Sequence, residues 1–510
     1  VIEVALNKTY SFVTEIPLVV GSKCNAELLS RFQAGRQLYN ACLNEAMTRM
    51  GLVRSSVAYN AAKKIPKDHM CKRSNAFSEA RNAYRYSDYE LQSYATLVSN
   101  KSKWIASKVD SNTQQTIATR AFKASERVMF GQALKVRYKV PTRFRSVEGK
   151  TNKQGLRWKD NQLVWVKLKL NAIIDPTNPV IQHGLNSPIK YVRLLWRELN
   201  GKRRWFVQII NQGIPYPQPQ NYVADGVVGL DLNISNIAYV GDDHAGLLTF
   251  AEGVPTLERE ISAIQRKMQR SQRANNPDNY HPNFEDTKGR KAVVKKGKVK
   301  QGKRQWKKSS NYRKLAAKKR ELQRRKTAYA KSQNRKVVNE ILRHGKHIKT
   351  ENVSVLGWAK RYGKAIFNKS PGFVQSELKL KAERAGGSFT KFSTQKTALS
   401  QTHLDGERVK KSLSERVHHD QTGVIMHRDL FSAYLARYVD EDQLLLQDAV
   451  TQYPGAEPLL MDAWKRYEQS ANRVSASESR QAHPPLERIS MKLGTSSQIS
   501  QKGLKAVLDS

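Results

Sequence analysis

Cysteine is scarce in this chain: three in 510 residues, Cys24, Cys42 and Cys71, all within the first 71. An odd, scattered set builds no disulfide framework and points to a reducing, intracellular setting. No apolar run approaches the roughly 20 residues needed to cross a bilayer, so no membrane association is expected. The sequence does not open with a charged region, an apolar core and a cleavage site, so no secretory leader is expected and the cytoplasm is the expected location. Acids are few as well, 44 against 89 lysines and arginines, which gives a formal net charge of +45. Such an excess exceeds what solubility needs and attracts nucleic acid through phosphate neutralisation, whatever the sequence bound. The 39% hydrophobic fraction is enough for folded cores, which excludes a disordered basic tail, and the length suggests about two to four domains.

The basic excess is uneven. Residues 288–336 carry 22 Lys and Arg against one acid, Glu321, a net of 22 − 1 = +21 out of +45. Residues 441–510 hold eight basic and nine acidic residues, so the tail is not a polyanion surface. Within the block, Lys295, Lys296, Lys298, Lys300, Lys303, Arg304, Lys307, Lys308 and Arg313 are the candidate nucleic-acid contacts.

Periodicity divides the chain further. A strand-like run over 1–20 leads into an amphipathic helix after Asn25, and helical stretches follow near 75–98 and 112–129. These are rich in Tyr84, Arg85, Tyr86, Tyr89 and Tyr94; such interleaving suits base stacking, and equally a helical bundle padded with tyrosine. From about 132 the period becomes that of strands: Leu163–Leu170, Tyr191–Leu199 and Trp205–Ile210. The expected modules are a β-rich, barrel-like unit over 1–24 and 132–222, interrupted by a helical module over 25–131. GIPYPQPQN, with Pro215, Pro217 and Pro219, reads as a stiff linker.

After the linker, VVGLDLNISNIAYV predicts two apolar strands, and a third follows DDHAG. Helical charge patterns fill 256–274 and 309–345, with an irregular loop between them. Strand HIKTENV, helix FVQSELKLKAERA, strand SFTKF and helix DLFSAYLARYV follow. That order is the order of an RNase H-like α/β domain, expected over 223–440 with a basic helical insertion at 252–340. Beyond it, one helix near 455–470 and a Ser-rich, mobile end make up a partly disordered extension over 441–510.

Three acids stand out. Asp231 ends one strand, Glu351 sits on another that the topology places beside it, and Asp429 opens a later helix. Carboxylates from different elements form a hard-oxygen cage for two Mg²⁺ or Mn²⁺ ions, which is how phosphodiester hydrolysis is catalysed in two-metal sites. Singly, each acid reads as well as a helix cap or a partner of Lys349 or an arginine.

VVGLDLNISNIAYV, HIKTENVSVLGW and MHRDLFSAYLARYV together resemble the split RuvC nuclease of the transposon-encoded TnpB proteins and of the compact type V CRISPR effectors. SPGFVQSELKLKAERAGGSF, KVPTRFRSVEGK and the basic helices between the first two acids extend the resemblance over roughly 1–440. It implies a Mg²⁺-dependent endonuclease with Asp231, Glu351 and Asp429 as catalytic metal ligands. Its partners would be a guide RNA and a double-stranded DNA target in a prokaryotic cytoplasm, with protein contacts to a short flanking motif. Monomer and homodimer stay open, as does transposon or CRISPR origin. A guided binder that does not cut and a strand-transferring transposase are the alternatives. At 394–426, where the family has a zinc ribbon with cysteine pairs, this chain has none; His403, Asp405, Asp420 and Thr422 occupy the corresponding positions. A structural zinc is therefore not expected, and the segment is read as a loop held by packing.

Overall fold

The computed structural model describes residues 10–480 except 255, 256, 289, 290, 303, 413 and 414. The chain divides into two compact units: Val1–Gln218 with Leu257–Arg324, and Pro219–Thr256 with Arg325–Ser510. Among the described residues no helix is long and apolar enough to cross a membrane.

In the first unit, the helix Ser22–Ser55 buries Leu28, Phe32, Leu38, Cys42, Leu43 and Met50. Ile117, Ala118, Ala121 and Phe122 of the helix Ser111–Met129 join the same core. The tyrosines split by position: Tyr86 is buried with its hydroxyl 2.9 Å from Ser125 Oγ, whereas Tyr89 is exposed. Among the described residues the strands fall into two sheets rather than one closed barrel, though Leu18 bridges to Ala172 between the two. Ser11–Pro17, Lys202–Gln212, Ile189–Leu199 and Ser146–Glu148 make a four-stranded antiparallel sheet, and the end of its first strand hydrogen-bonds to the edge of a three-stranded sheet, Val19 N to Asn171 O and Ile173 N to Pro17 O. Part of the expected opening strand, residues 1–9, lies outside the described residues.

LVWVKLKL, expected as one strand, is a hairpin of Gln162–Trp165 and Leu168–Asn171, with Trp165 opposite Leu168. Val166 takes a left-handed φ of 57° to turn it. The apolar pattern hides this, because no Gly or Asn marks the turn; Asn200-Gly201, both at positive φ, mark the next hairpin in the ordinary way.

The expected irregular loop 275–308 is also ordered. It contains a hairpin, Phe284–Lys288 with Lys291–Lys295. Buried Asn276 clamps its base, donating to Lys307 O and accepting from Lys307 N. Arg273 lies over the Tyr280 ring and donates to Gly297 O. Side-chain hydrogen bonds from asparagine, invisible to periodicity, hold this segment.

The second unit is built on a mixed five-stranded sheet consistent with an RNase H-like core. Its strands are β1 (Val227–Leu232), β2 (Asn236–Val240), β3 (Ala245–Thr249), β4 (His347–Glu351) and β5 (Ser388–Phe392). Their order is β3-β2-β1-β4-β5, with β1–β3 antiparallel and β4 parallel to both β1 and β5. Helix α1 (Ser310–Leu342) leads into β4, followed by α2 (Val355–Lys369), α3 (Pro371–Arg384), α4 (Arg428–Ala436) and α5 (Leu446–Arg480).

Alternation sends the two faces of the sheet into different cores. Val228, Leu230 and Ile348 pack with Val338, Ile341, Val374 and Leu378. Ala238 and Val240 pack with Leu430, Phe431, Tyr434 and Tyr453. Helix α2 is absent from the sequence reading; its Gly357 and Gly363 disguise it, while the Ser354 side chain caps it by accepting from Gly357 N. Helix α5 is much longer than the 455–470 expected. Despite Pro454 and Pro458, it buries Ala449, Tyr453, Ala456, Leu460 and Ala463, a stripe of alternating four- and three-residue steps. The expected Ser-rich end from 481 lies outside the described residues.

Candidate functional site

Parallel pairing places Leu230 opposite Thr350, so Asp231 and Glu351 are the next residues on neighbouring strands, at their carboxyl ends. Here β1 has an antiparallel neighbour on one side and a parallel one on the other. Open α/β sheets bind ligands outside the carboxyl ends of their strands.

Side-chain direction follows from the pleat. Gly229 faces α4 so closely that a Cβ there would stand 2.1 Å from Ala433 O. Asp231, two residues on, projects from the same face. Lys349, opposite Gly229, donates to Arg437 O (3.0 Å) and Val439 O (2.8 Å) beyond the end of α4. Lys349 is therefore not an ion-pair partner of either strand acid. Two residues later, Glu351 lies on this face too, and the opening turn of α4 supplies Asp429.

Asp429 is 2% exposed. Its Oδ2 has no hydrogen-bond partner, while its Oδ1 lies 3.7 Å from Arg416 Nη1 and 3.8 Å from Arg428 Nε. Its backbone N–H donates to His427 Nδ1 at 3.3 Å. Burial, then the charges of Asp429 and Glu351, raise the Asp231 carboxyl well above the usual carboxylate range, against smaller opposing effects of Arg428 and of Asn233, which donates at 3.4 Å. Burial pushes Glu351 up to about 7. Asp231 is thus close enough to Asp429 and Glu351 to feel their charges. An orphaned carboxylate oxygen on buried Asp429 and a half-buried Asp231 raised by its acidic neighbours are features that a hard cation such as Mg²⁺ or Mn²⁺ relieves.

The candidate basic contacts lie in the first unit. Lys296, Lys298, Lys300, Lys307, Lys308 and Arg313 are exposed. Lys295 is exposed but paired with Asp286, and half-buried Arg304 donates to Gly302 O at 2.9 Å. Lys303 lies outside the described residues.

Of the four ribbon positions, the fold brings together two. His403 and Asp420 are buried and are joined by His418, with ligand atoms of all three within 4.8 Å of one another. Asp405 is exposed and accepts from Glu407 N; exposed Thr422 donates to Asp420 Oδ1. Asp420 Oδ2 accepts from Leu404 N at 3.0 Å and lies 2.9 Å from His418 Nε2. His418 Nδ1 meets the Lys411 ammonium, and its ring stacks on Phe431 with centroids 4.0 Å apart. Burial lowers the His418 pKa, although Asp420 opposes this. The HLDG and DQTG spacing gives His403 and Asp420 of this cluster; His418 lies two residues before Asp420, on the strand Val417–His419, and both are buried. Gly229, Arg416 and His427 are absent from the sequence reading, the glycine despite standing two residues before Asp231.

No protein-family model matches the chain, and no curated protein matches it. Several solved structures resemble it, two of them as follows. One is described as a cryo-EM structure of the Cas12f1–sgRNA–target DNA complex: 10% identity, TM-score 0.41, covering 83% of this chain and 98% of that one. The other is described as a cryo-EM structure of a CRISPR-Cas12f ternary complex: 8% identity, TM-score 0.28, covering 81% of each chain. Both scores are below 0.5, so the likeness is one of general arrangement and says nothing of activity.

Proposed function

We propose that this protein is an RNA-guided DNA endonuclease with a RuvC-like, Mg²⁺-dependent site formed by Asp231, Glu351 and Asp429. The observation that carries the nuclease reading is the gathering of these three acids on one face, at the ends of adjacent parallel strands and the start of α4. Bound divalent ions supply phosphate neutralisation and an activated water. Asp429, fixed by the His427 contact and with a free Oδ2, holds its carboxylate toward the site. Asp231 and Glu351 take up protons in the metal-free protein and release them when a cation is bound. Arg416, largely exposed and 3.7 Å from Asp429 Oδ1, is placed to meet a phosphate oxygen.

Guide RNA and duplex DNA as partners rest on the sequence resemblance and on the exposed basic block, and zinc is no part of the proposal. Asp420 already accepts from Leu404 N, Thr422 N and Thr422 Oγ1, and the Lys411 cation beside His418 opposes a divalent ion. The test is cleavage of matched DNA by protein purified with its RNA, in Mg²⁺, alongside sequencing of that RNA. Asp231→Ala, Glu351→Ala and Asp429→Ala are each expected to abolish cleavage and leave RNA and target binding within about twofold, since binding rests on many phosphate contacts elsewhere. Cleavage surviving in all three variants would overturn the assignment, and absence of a discrete RNA species would remove guidance.

A further inference from the structure

Beyond Glu351, the ends of β4 and β5 border a cavity of about 420 Å³, lined by Asn352, Lys391, Ser393, Thr394, Gln395 and Asp442 among others. Its size falls in the range of ligand pockets, roughly 300–1,000 Å³. We propose that it is a subsite for one nucleotide of the single DNA strand being cut, next to the scissile phosphate. This rests on the nuclease reading above and deepens it.

Position comes first. Asn352 directly follows Glu351, and its N–H donates to Phe392 O at 2.8 Å, so the cavity opens one residue past the candidate acid. A strand whose phosphate lies on Asp231 and Glu351 has its neighbouring nucleotide at hand here. The wall is also fixed. Asp442, in the left-handed region at φ 70°, accepts from Ser393 N through Oδ1 at 2.6 Å, and its Oδ2 pairs with Lys396 at 3.3 Å. The only acid of the lining is thus paired with a lysine, which offsets its charge toward a phosphate.

The chemistry of the free groups completes the case. The side chains of Asn352, Lys391 and Gln395 are exposed and make no hydrogen bond among the described residues. One ammonium fits a backbone phosphate, and two amides, each donor and acceptor, fit a base edge or sugar. The lining offers no exposed aromatic ring for stacking, so it is the amides and the lysine that hold the nucleotide.

The test uses RNA-loaded protein and matched DNA, with cut positions mapped at nucleotide resolution. Lys391→Ala combined with Gln395→Ala is expected to raise KM about tenfold, as loss of two polar contacts implies, with kcat within about twofold and cuts spread over neighbouring positions. Lys391→Arg is expected to restore the wild-type pattern. Unchanged KM and cut position in a wild type that cuts would overturn the subsite and leave the nuclease reading intact. A second readout needs no cutting: in Asp231→Ala protein, a DNA strand carrying 4-thiothymidine beside the scissile position is expected to photocrosslink to residues 391–395. Crosslinks elsewhere only would also overturn it, whereas a wild type that neither cuts nor loses anything on Asp231→Ala indicts the nuclease reading instead.

Discussion

Glu351 has a folded pKa near 7 against an ordinary 4.5, and the sign of its effect follows. The folded protein binds more protons than the unfolded chain between those values. Its contribution to metal-free stability is therefore full below about pH 4.5 and lost as pH rises through about 7. Asp231, raised by burial and by its acidic neighbours, acts in the same direction. Without divalent ions, the wild-type Tm is expected to fall between pH 5 and pH 8. Glu351→Gln should recover stability on the order of 2 kcal/mol at pH 8 and nothing at pH 4. Thermal melts across pH, with and without Mg²⁺, check this; Mg²⁺ should stabilise wild type more at pH 8 than at pH 5, because protons and metal compete for the same oxygens. Cleavage should correspondingly rise with pH through about 7. A Tm profile unchanged by Glu351→Gln refutes a buried, proton-binding Glu351.

Helix α4 reaches the sheet only because residue 229 has no side chain. Gly229→Ala would set a methyl 2.1 Å from Ala433 O and 2.8 Å from Arg437 N, both backbone atoms that cannot swing aside. The helix must then lift and carry Asp429 away from Asp231. The expected cost is about 3 kcal/mol or more of stability, with cleavage reduced beyond the loss of folded protein. Gly363→Ala, in α2 with nothing within 4 Å of the added Cβ, should be neutral or slightly stabilising. Comparing the two by chemical denaturation separates close packing from a general intolerance of alanine. At the same scale, the His403–His418–Asp420 cluster reads as a hydrogen-bonded knot. Protein dialysed against chelator is expected to hold well under one zinc per chain and still cut with Mg²⁺. Stoichiometric zinc by elemental analysis, lost on His418→Ala, would instead make the three residues ligands.

For the whole molecule the dominant quantity is charge. Each neutralised phosphate contributes about 0.9 to the log–log salt slope for duplex DNA and about 0.7 for single strands. Replacing Lys295, Lys296, Lys298 and Lys300 by Gln should flatten that slope by about two to three. The pairing of Lys295 with Asp286 places Lys295 as the smallest contributor. Binding isotherms at several salt concentrations decide this; identical slopes would mean that the exposed lysines are merely solvated.

Much of the second unit is legible in the chain itself. Apolar alternation in VVGLDL and NIAYV, and the short run HIKTE, announce strands because one face of each must be buried, and Asp231 and Glu351 interrupt those runs where only a solvated or liganded carboxylate belongs. The charge of 288–336 is likewise a property of composition. The hairpin at Val166 was hidden, since the neighbouring Trp165 is fixed by groups distant in sequence, its carbonyl accepting from Arg31 and its indole donating to Asp110. The asparagine clamp of 275–308 and the proline-bearing stripe of α5 were hidden for the same reason: side-chain hydrogen bonds and cross-element packing leave no local period. The choice of His418 over Asp405 and Thr422 was also tertiary, because which side chain turns inward depends on the hairpin against Phe431 rather than on spacing. Residue types fixed which groups could bind metal or phosphate; the parallel pairing of β1 with β4, and the glycine that admits α4, decided which of them meet.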